Sequence, residues 1–291
     1  MMTKSLSRAK ATPKRPAEKV SDHAQTGAPG PYARDAFERW VLFADVLRER
    51  ADNMIAHERQ GMPPLLDFDY EQVLDARNFE RPANYALLRI TRIGEDCWDD
   101  CVDMAKPPVI VIDPRAGHGP GIGGFKRDSE VGMAMHEGHP VYFVIFYPEP
   151  MPNQTLADVH YALRDFVKEV ARRHPNTAPV LYGNCQAGWA ATLLAADCEG
   201  LTGPIVLNGS PLSYWSGEAA SSPMRMMGAL TGGAWAAHMI SDLGDGRFDG
   251  AWLAQNFESL QPEKAIWDKY ANLFAHADTE PARFLEFERW W

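Results

Sequence analysis

The sequence is short of cysteine, short of basic relative to acidic residues, and without long apolar runs. Four cysteines in 291 residues are too few for a disulfide framework. Cys97 and Cys101 stand four apart, but no further Cys or His pair completes a zinc set, so both read as structural thiols. No run of eighteen apolar residues occurs, and the start of the chain lacks the apolar stretch of a secretory signal. A chain that is not transmembrane and stays cytoplasmic is therefore expected. A formal charge of -10 argues against nucleic acid as a partner.

The charge is uneven. Residues 1–30 hold six basic residues (Lys4, Arg8, Lys10, Lys14, Arg15, Lys19) against Glu18 and Asp22, with Pro13, Pro16 and Pro29 and few apolar side chains. Such a stretch cannot bury enough surface to order itself, and residues 1–32 read as a disordered basic leader. From Arg34 to Gln60 the apolar residues Phe37, Trp40, Val41, Ala44, Leu47, Ala51, Met54 and Ile55 recur at helical spacing, and Gly61 supplies a stop. This helix, with a Pro-containing linker from Met62 to Asp69, forms an N-terminal region over 33–84. Its apolar stripe has two candidate partners, the main domain or a second subunit.

Tyr85–Ile90, Pro108–Ile112, Val141–Tyr147, Val180–Tyr182 and Pro204–Leu207 are strand candidates, the middle ones nearly all apolar as in the interior of a parallel sheet. A helix opens at Thr155 with Asp158 three residues on, a capping-box pattern, and closes on Arg172, Arg173 and His174. Strands alternating with helices argue for an α/β fold, a mainly parallel sheet with helices on both faces, over 85–210. From 211 to 291 the chain is rich in Met and Trp, has helical periodicity, and reads as a helical cap-like segment. Trp235, Trp252, Trp267, Met226, Met227 and Met239 are expected mainly to pack the cap on itself, with lining of an acyl pocket as the sharper alternative. Asp242, Asp245 and Asp249 lack EF-hand spacing and read as turn formers.

The stretch that carries chemistry is A-P-V-L-Y-G-N-C-Q-A-G-W-A-A-T-L-L-A-A, residues 178–196. It reads as strand, sharp turn, helix, with Cys185 on the turn and small residues Gly183, Ala187 and Gly188 around it. That is the pattern of a nucleophile elbow in the α/β-hydrolase fold, with a thiol in place of the usual hydroxyl. The bland alternative is a buried cysteine on a tight turn. The amide of Gln186, next after the cysteine, is one candidate oxyanion donor. The loop D-P-R-A-G-H-G-P-G-I-G-G-F-K after the Pro108 strand offers the other, from Ala116, Gly117 or His118 in the Ala116–Gly119 region. Gly119, Gly121 and Gly124 also form a G-x-G-x-x-G, but Pro120 interrupts it and no helix follows at once, which argues against a dinucleotide site. No cofactor or metal is expected. In this fold the acid and the base histidine follow the nucleophile. Only His238 and His276 lie beyond Cys185, both in cap-like sequence, and no strand candidate follows Leu207. The final A-R-F-L-E-F-E-R-W-W looks like a helix cut in mid-course, so a C-terminally incomplete fold is expected.

The runs Y-G-N-C-Q-A-G-W-A, G-P-I-V-L-N-G-S-P-L-S-Y-W, S-D-L-G-D-G-R-F-D-G and D-T-E-P-A-R-F-L-E-F-E-R-W-W resemble a bacterial family of uncharacterised proteins labelled polyhydroxyalkanoate synthetase-like. Synthases of this kind carry a growing hydroxyacyl chain on the cysteine of a G-x-C-x-G-G elbow and take units from coenzyme A thioesters. Gly183, Cys185 and Gly188 match that pattern, and Ala187 departs from it. The resemblance implies acyl transfer through Cys185, with an acyl thioester or polyester as partner and a coenzyme A thioester as substrate. A thiol esterase or depolymerase of the same fold, and a non-catalytic granule-binding scaffold, remain open beside it. Oligomerisation through the N-terminal helix or an exposed sheet edge is a further expectation.

Overall fold

In the computed structural model, residues 29–92, 102–116, 120–213, 216–218, 223–248, 250, 255 and 258–290 are described. The all-apolar strand Val141–Phe146 (β4) shows why the sheet sits where it does. Its side chains alternate between two apolar layers: Tyr142 and Val144 enter one, and Val141, Phe143 and Ile145 enter the other. A strand buried on both faces needs no polar alternation.

Six strands form one sheet in the order β1-β2-β4-β3-β5-β6: Asp69–Asp75 (β1), Tyr85–Arg92 (β2), Val109–Ile112 (β3), β4, Val180–Asn184 (β5) and Ile205–Asn208 (β6). β1 and β2 pair antiparallel, as do β2 and β4, while β4, β3, β5 and β6 run parallel. The expected linker is thus partly strand. β1 adds to the sheet edge before the Tyr85 strand, so the α/β unit begins earlier in the chain than residue 85.

Helices cover both faces. Leu156–Arg173 (α3) and Ala187–Asp197 (α4) bury Val159, Leu163, Phe166, Val167, Val170, Ala191 and Leu194 on one side. Thr155 and Asp158 close the anticipated capping box at the start of α3. Glu130–His136 (α2) buries Val131 and Met135 on the other side, together with Phe68 from the segment before β1. The architecture is mixed α/β, with a mostly parallel six-stranded sheet.

The N-terminal helix Pro29–Arg59 (α1) starts four residues inside the expected leader. The C-terminal segment holds Pro223–Thr231 (α5), Trp235–Leu243 (α6), a π-helical turn Glu263–Asp268, Lys269–His276 (α7) and Pro281–Trp290 (α8). α1 packs on α7 and α8 of the C-terminal segment, while Phe37, Trp40, Val41, Met54 and Ile55 of its apolar stripe stay between 43% and 65% exposed. The Phe43 ring stands edge-on to Tyr270 and Phe274, with centroids 6.5 and 6.0 Å away. Arg39 pairs with Asp278 at 2.9 Å, and the fully buried Glu288 carboxylate contacts Arg50 at 2.5 Å and Lys269 at 2.6 Å. Among the described helices none is long and apolar enough to cross a membrane.

The Met and Trp side chains of the C-terminal segment depart from the expectation of internal packing. Met226, Met227, Trp235, Met239 and Trp267 are all between 46% and 74% exposed, so their periodicity marks a face that nothing described covers. Trp252 lies outside the described residues, as do Cys97, Cys101 and Asp249.

Candidate active site

The parallel strands end together, and two of them bring the candidate residues to one rim. β3 and β5 are in register with Ile112 opposite Gly183, so the loops that follow, one from Asp113 and one from Cys185, leave the sheet side by side.

Cys185 and Gln186 alone join β5 to α4, and the backbone at Cys185 is left-handed, with φ at 51°. A non-glycine residue there costs on the order of 1 kcal/mol or more and persists only where the surroundings enforce it. Three features do so. The Cys185 N–H donates to the Asn208 carbonyl at 2.9 Å, which ties the turn to the end of β6. The Gly188 N–H donates to the Cys185 carbonyl at 3.1 Å. Finally, strand and helix approach so closely that a Cβ on Gly183 would lie 2.8 Å from the Ala187 oxygen and the Gly188 Cα.

Gly188 is as crowded from the other side, since a Cβ there would sit 2.2 Å from Ser210 Cβ and 2.0 Å from its Oγ. Ser210 holds that place by donating from Oγ to the Gly183 carbonyl at 3.1 Å. The requirement for a residue without a side chain therefore falls on positions 183 and 188, while Ala187 is accommodated and buried. Gln186 takes the N-cap position of α4 and makes no side-chain capping bond, so the helix N-terminus opens onto the turn. Cys185 is half-buried. Cys198 at the end of α4 is fully buried, and burial pushes its thiol pKa up, which marks it as an inert structural thiol.

The loop after β3 is organised by a residue that sequence reasoning passed over. Asp113 is fully buried, and its carboxylate accepts three backbone N–H groups, from Arg115 at 2.7 Å, Gly121 at 2.6 Å and Ile122 at 3.1 Å. It closes the glycine loop on itself and fixes both ends of the segment that holds Ala116. Burial pushes its pKa up to about 7, against the opposing pull of the three amides and Arg115. The one sequence signal was an acidic residue placed directly after an all-apolar strand. Ala116 is half-buried on this loop, whereas Gly117 and His118 lie outside the described residues. The G-x-G-x-x-G opens no helix directly, since α2 begins at Glu130.

His238 on α6 and His276 at the end of α7 are both exposed, and His276 Nδ1 bonds its own helix through the Asn272 carbonyl at 3.0 Å. Neither is part of the rim. His174, also on the strand-and-helix core, is buried against the Tyr142 hydroxyl at 3.0 Å and serves packing. No group of three or more metal-ligating side chains occurs among the described residues. A cavity of about 650 Å³ between the π-helical turn, α7 and α8 contains none of the rim residues.

Residues 35–291 match a family described as protein of unknown function (DUF3141), and the chain belongs to that family. An uncharacterized protein from the ackA 5' region of Rhizobium meliloti is 48% identical over 262 residues, covering 89% of this chain and 35% of that protein. The chain therefore spans about a third of the length of this relative. Among solved structures, 2-hydroxy-6-oxo-6-phenylhexa-2,4-dienoate hydrolase from Rhodococcus sp. strain RHA1 is 14% identical, with 76% of this chain and 72% of that chain covered and a TM-score of 0.34. Brefeldin A esterase, a bacterial homologue of human hormone sensitive lipase, is 17% identical over 56% of this chain and 46% of that chain, with a TM-score of 0.27. An aminopeptidase from a marine sediment archaeon, Thaumarchaeota archaeon, is 10% identical over 48% and 25%, with a TM-score of 0.32.

Proposed function

We propose that this member of the DUF3141 family carries the nucleophile half of an acyl-transfer site, with Cys185 as the attacking group. The observation that supports the reading is the enforced left-handed backbone at Cys185. Packing alone gives no reason to force a cysteine into that conformation between a strand and a helix. A nucleophile gives one, because the sharp turn lifts its side chain off the sheet toward the loops where a substrate approaches.

In this reading the Cys185 thiolate attacks the carbonyl carbon of a hydroxyacyl coenzyme A thioester. The carbonyl oxygen becomes an oxyanion, held by the Gln186 amide and by an amide of the Ala116–Gly119 loop. The N-terminus of α4, which opens onto the turn, favours negative charge at the same place. Collapse of the oxyanion breaks the bond to the coenzyme A sulfur, which leaves as a thiolate and takes up a proton, and the acyl group stays on Cys185. A hydroxyl of a second hydroxyacyl unit then attacks the acyl carbon and gives up its proton to the base, and the bond to Cys185 Sγ breaks to return the thiolate. The resemblance of Gly183, Cys185 and Gly188 to the synthase elbow points to this acceptor. His238 and His276 are exposed on α6 and α7, so the base that activates the thiol is assigned to a group outside the described residues.

Release of free coenzyme A from a short-chain hydroxyacyl thioester tests the proposal. One equivalent per chain is expected as a burst, absent from Cys185→Ala. An ester-linked product identifies transfer, and free hydroxy acid identifies the thiol esterase instead. Equal release by the wild type and Cys185→Ala would end the nucleophile assignment.

A further inference from the structure

The cavity of about 650 Å³ in the C-terminal segment takes no part in the site built on Cys185, yet three elements each turn one face to it. Gln261, Lys264 and Ala265 come from the π-helical turn and the residues just before it, spaced i, i+3 and i+4. Lys269, Asn272, Leu273 and His276 of α7 follow at i, i+3, i+4 and i+7. Arg283, Phe284 and Phe287 share a face of α8. Another side of α7 sends Tyr270 and Phe274 to the Phe43 ring of α1, so the helix is held from behind.

Leu260, Leu273, Phe284 and Phe287 make the apolar part of the wall. The Phe284 ring is set against Tyr270 with centroids 6.2 Å apart, and Lys269 Nζ lies 5.9 Å from the centre of the Phe287 ring. A cavity of this volume, with apolar walls and a few charged groups, has the make-up of a small-molecule site. π-helical turns are rare and occur frequently at functional sites, and here one places Lys264 on the wall.

The charges decide what kind of molecule fits. Lys269 is already matched, since its Nζ lies 2.6 Å from Glu288 and 3.5 Å from Glu258, while Glu288 also contacts Arg50. Those four groups balance, two cations against two carboxylates. The other charges on the wall are Lys264, Arg283 and Glu280, none of which forms an ion pair among the described residues. Two cations against one carboxylate leave a surplus of one positive charge beside an apolar surface.

We infer that the cavity takes an amphipathic monocarboxylate, its aliphatic body against Leu273, Phe284 and Phe287 and its carboxylate at Lys264 and Arg283. A neutral molecule of the same shape would leave the surplus charge unmatched, and an organic cation would add to it. This holds whatever Cys185 does.

Decanoate, titrated into this 291-residue chain and followed by calorimetry and methyl NMR, is the test. One decanoate per chain is expected, with the Leu260 and Leu273 methyl signals shifted and those of Leu181, buried in the sheet, unmoved. Methyl decanoate and decyltrimethylammonium should bind about tenfold more weakly or worse, the loss of one charge-assisted contact. Lys264→Gln combined with Arg283→Gln should weaken decanoate by the same factor and leave methyl decanoate unchanged. Both residues are exposed, so the double variant keeps the fold. No binding, equal affinity for decanoate and methyl decanoate, wild-type affinity in the double variant, or shifts confined to other methyl groups would each overturn the inference.

Discussion

Gly188→Ala asks most sharply whether the β5–α4 junction is as tight as described. The new methyl would lie 2.2 Å from Ser210 Cβ and 2.0 Å from its Oγ, against the ~3.5–4.0 Å at which carbon atoms rest in contact. Either α4 or Ser210 must move by more than 1 Å, roughly. Overpacking of this kind costs ~1–3 kcal/mol. If Ser210 turns away, its bond to the Gly183 carbonyl is lost as well, at about 1 kcal/mol. Alanine's advantage over glycine in a helix offsets at most ~1 kcal/mol. A net loss of ~2 kcal/mol is expected from urea unfolding. Ser210→Gly alone should cost about 1 kcal/mol through the lost hydrogen bond, whereas Gly188→Ala combined with Ser210→Gly should be no worse than Ser210→Gly alone. The cycle thus carries a favourable coupling of ~2 kcal/mol. A Gly188→Ala chain as stable as the wild type, or effects that simply add, would refute the close approach and with it the enforced turn at Cys185.

Gly183→Ala should be harsher, because the atoms it meets at 2.8 Å are backbone of α4 and no side chain can yield; a loss of ~3 kcal/mol, unrelieved by Ser210→Gly, is the expected unfolding result. Asp113 gives a pH signature. Its pKa is raised from 3.8 to about 7 in the folded chain, so its contribution is fully present below about pH 4 and is lost as pH rises toward 7. At ~1.4 kcal/mol per pH unit this amounts to as much as ~4 kcal/mol, and Asp113→Asn, which does not titrate, should lose correspondingly less than the wild type between pH 4 and pH 8. Parallel stability curves for the two proteins would contradict the burial assigned to Asp113. Glu288→Ala should remove the carboxylate shared by Arg50 and Lys269 and leave Lys269 with Glu258 at 3.5 Å, costing on the order of 2 kcal/mol in thermal unfolding; an unchanged midpoint would show that α1, α7 and α8 do not depend on the contact.

Those residues also show what the sequence made legible. V-Y-F-V-I-F announces a strand buried on both faces, and Thr155 with Asp158 announces a helix start, because both signals are local. The turn at Cys185 was legible for the same reason, small residues packed between a strand pattern and a helix pattern. β1 was not, since D-Y-E-Q-V-L-D is an edge strand whose first four residues are exposed and so carries no apolar alternation. Asp113 was missed because its role depends on amides brought back from eight and nine residues away by the loop itself. Helical periodicity likewise identified a face containing Trp235 and Met239 without saying whether anything covers it. The crowding between Gly188 and Ser210 lay beyond reading, as it joins the helix after one strand to the loop after the next.

The central claim is that Cys185 is the group that takes the acyl chain. Incubation with a hydroxyacyl coenzyme A thioester, followed by digestion and mass analysis of the cysteine peptides, tests it directly. The account predicts one hydroxyacyl group, on the peptide containing Cys185, with Cys198 unmodified. An acyl group spread over several cysteines, or found on any residue in place of Cys185, would contradict it.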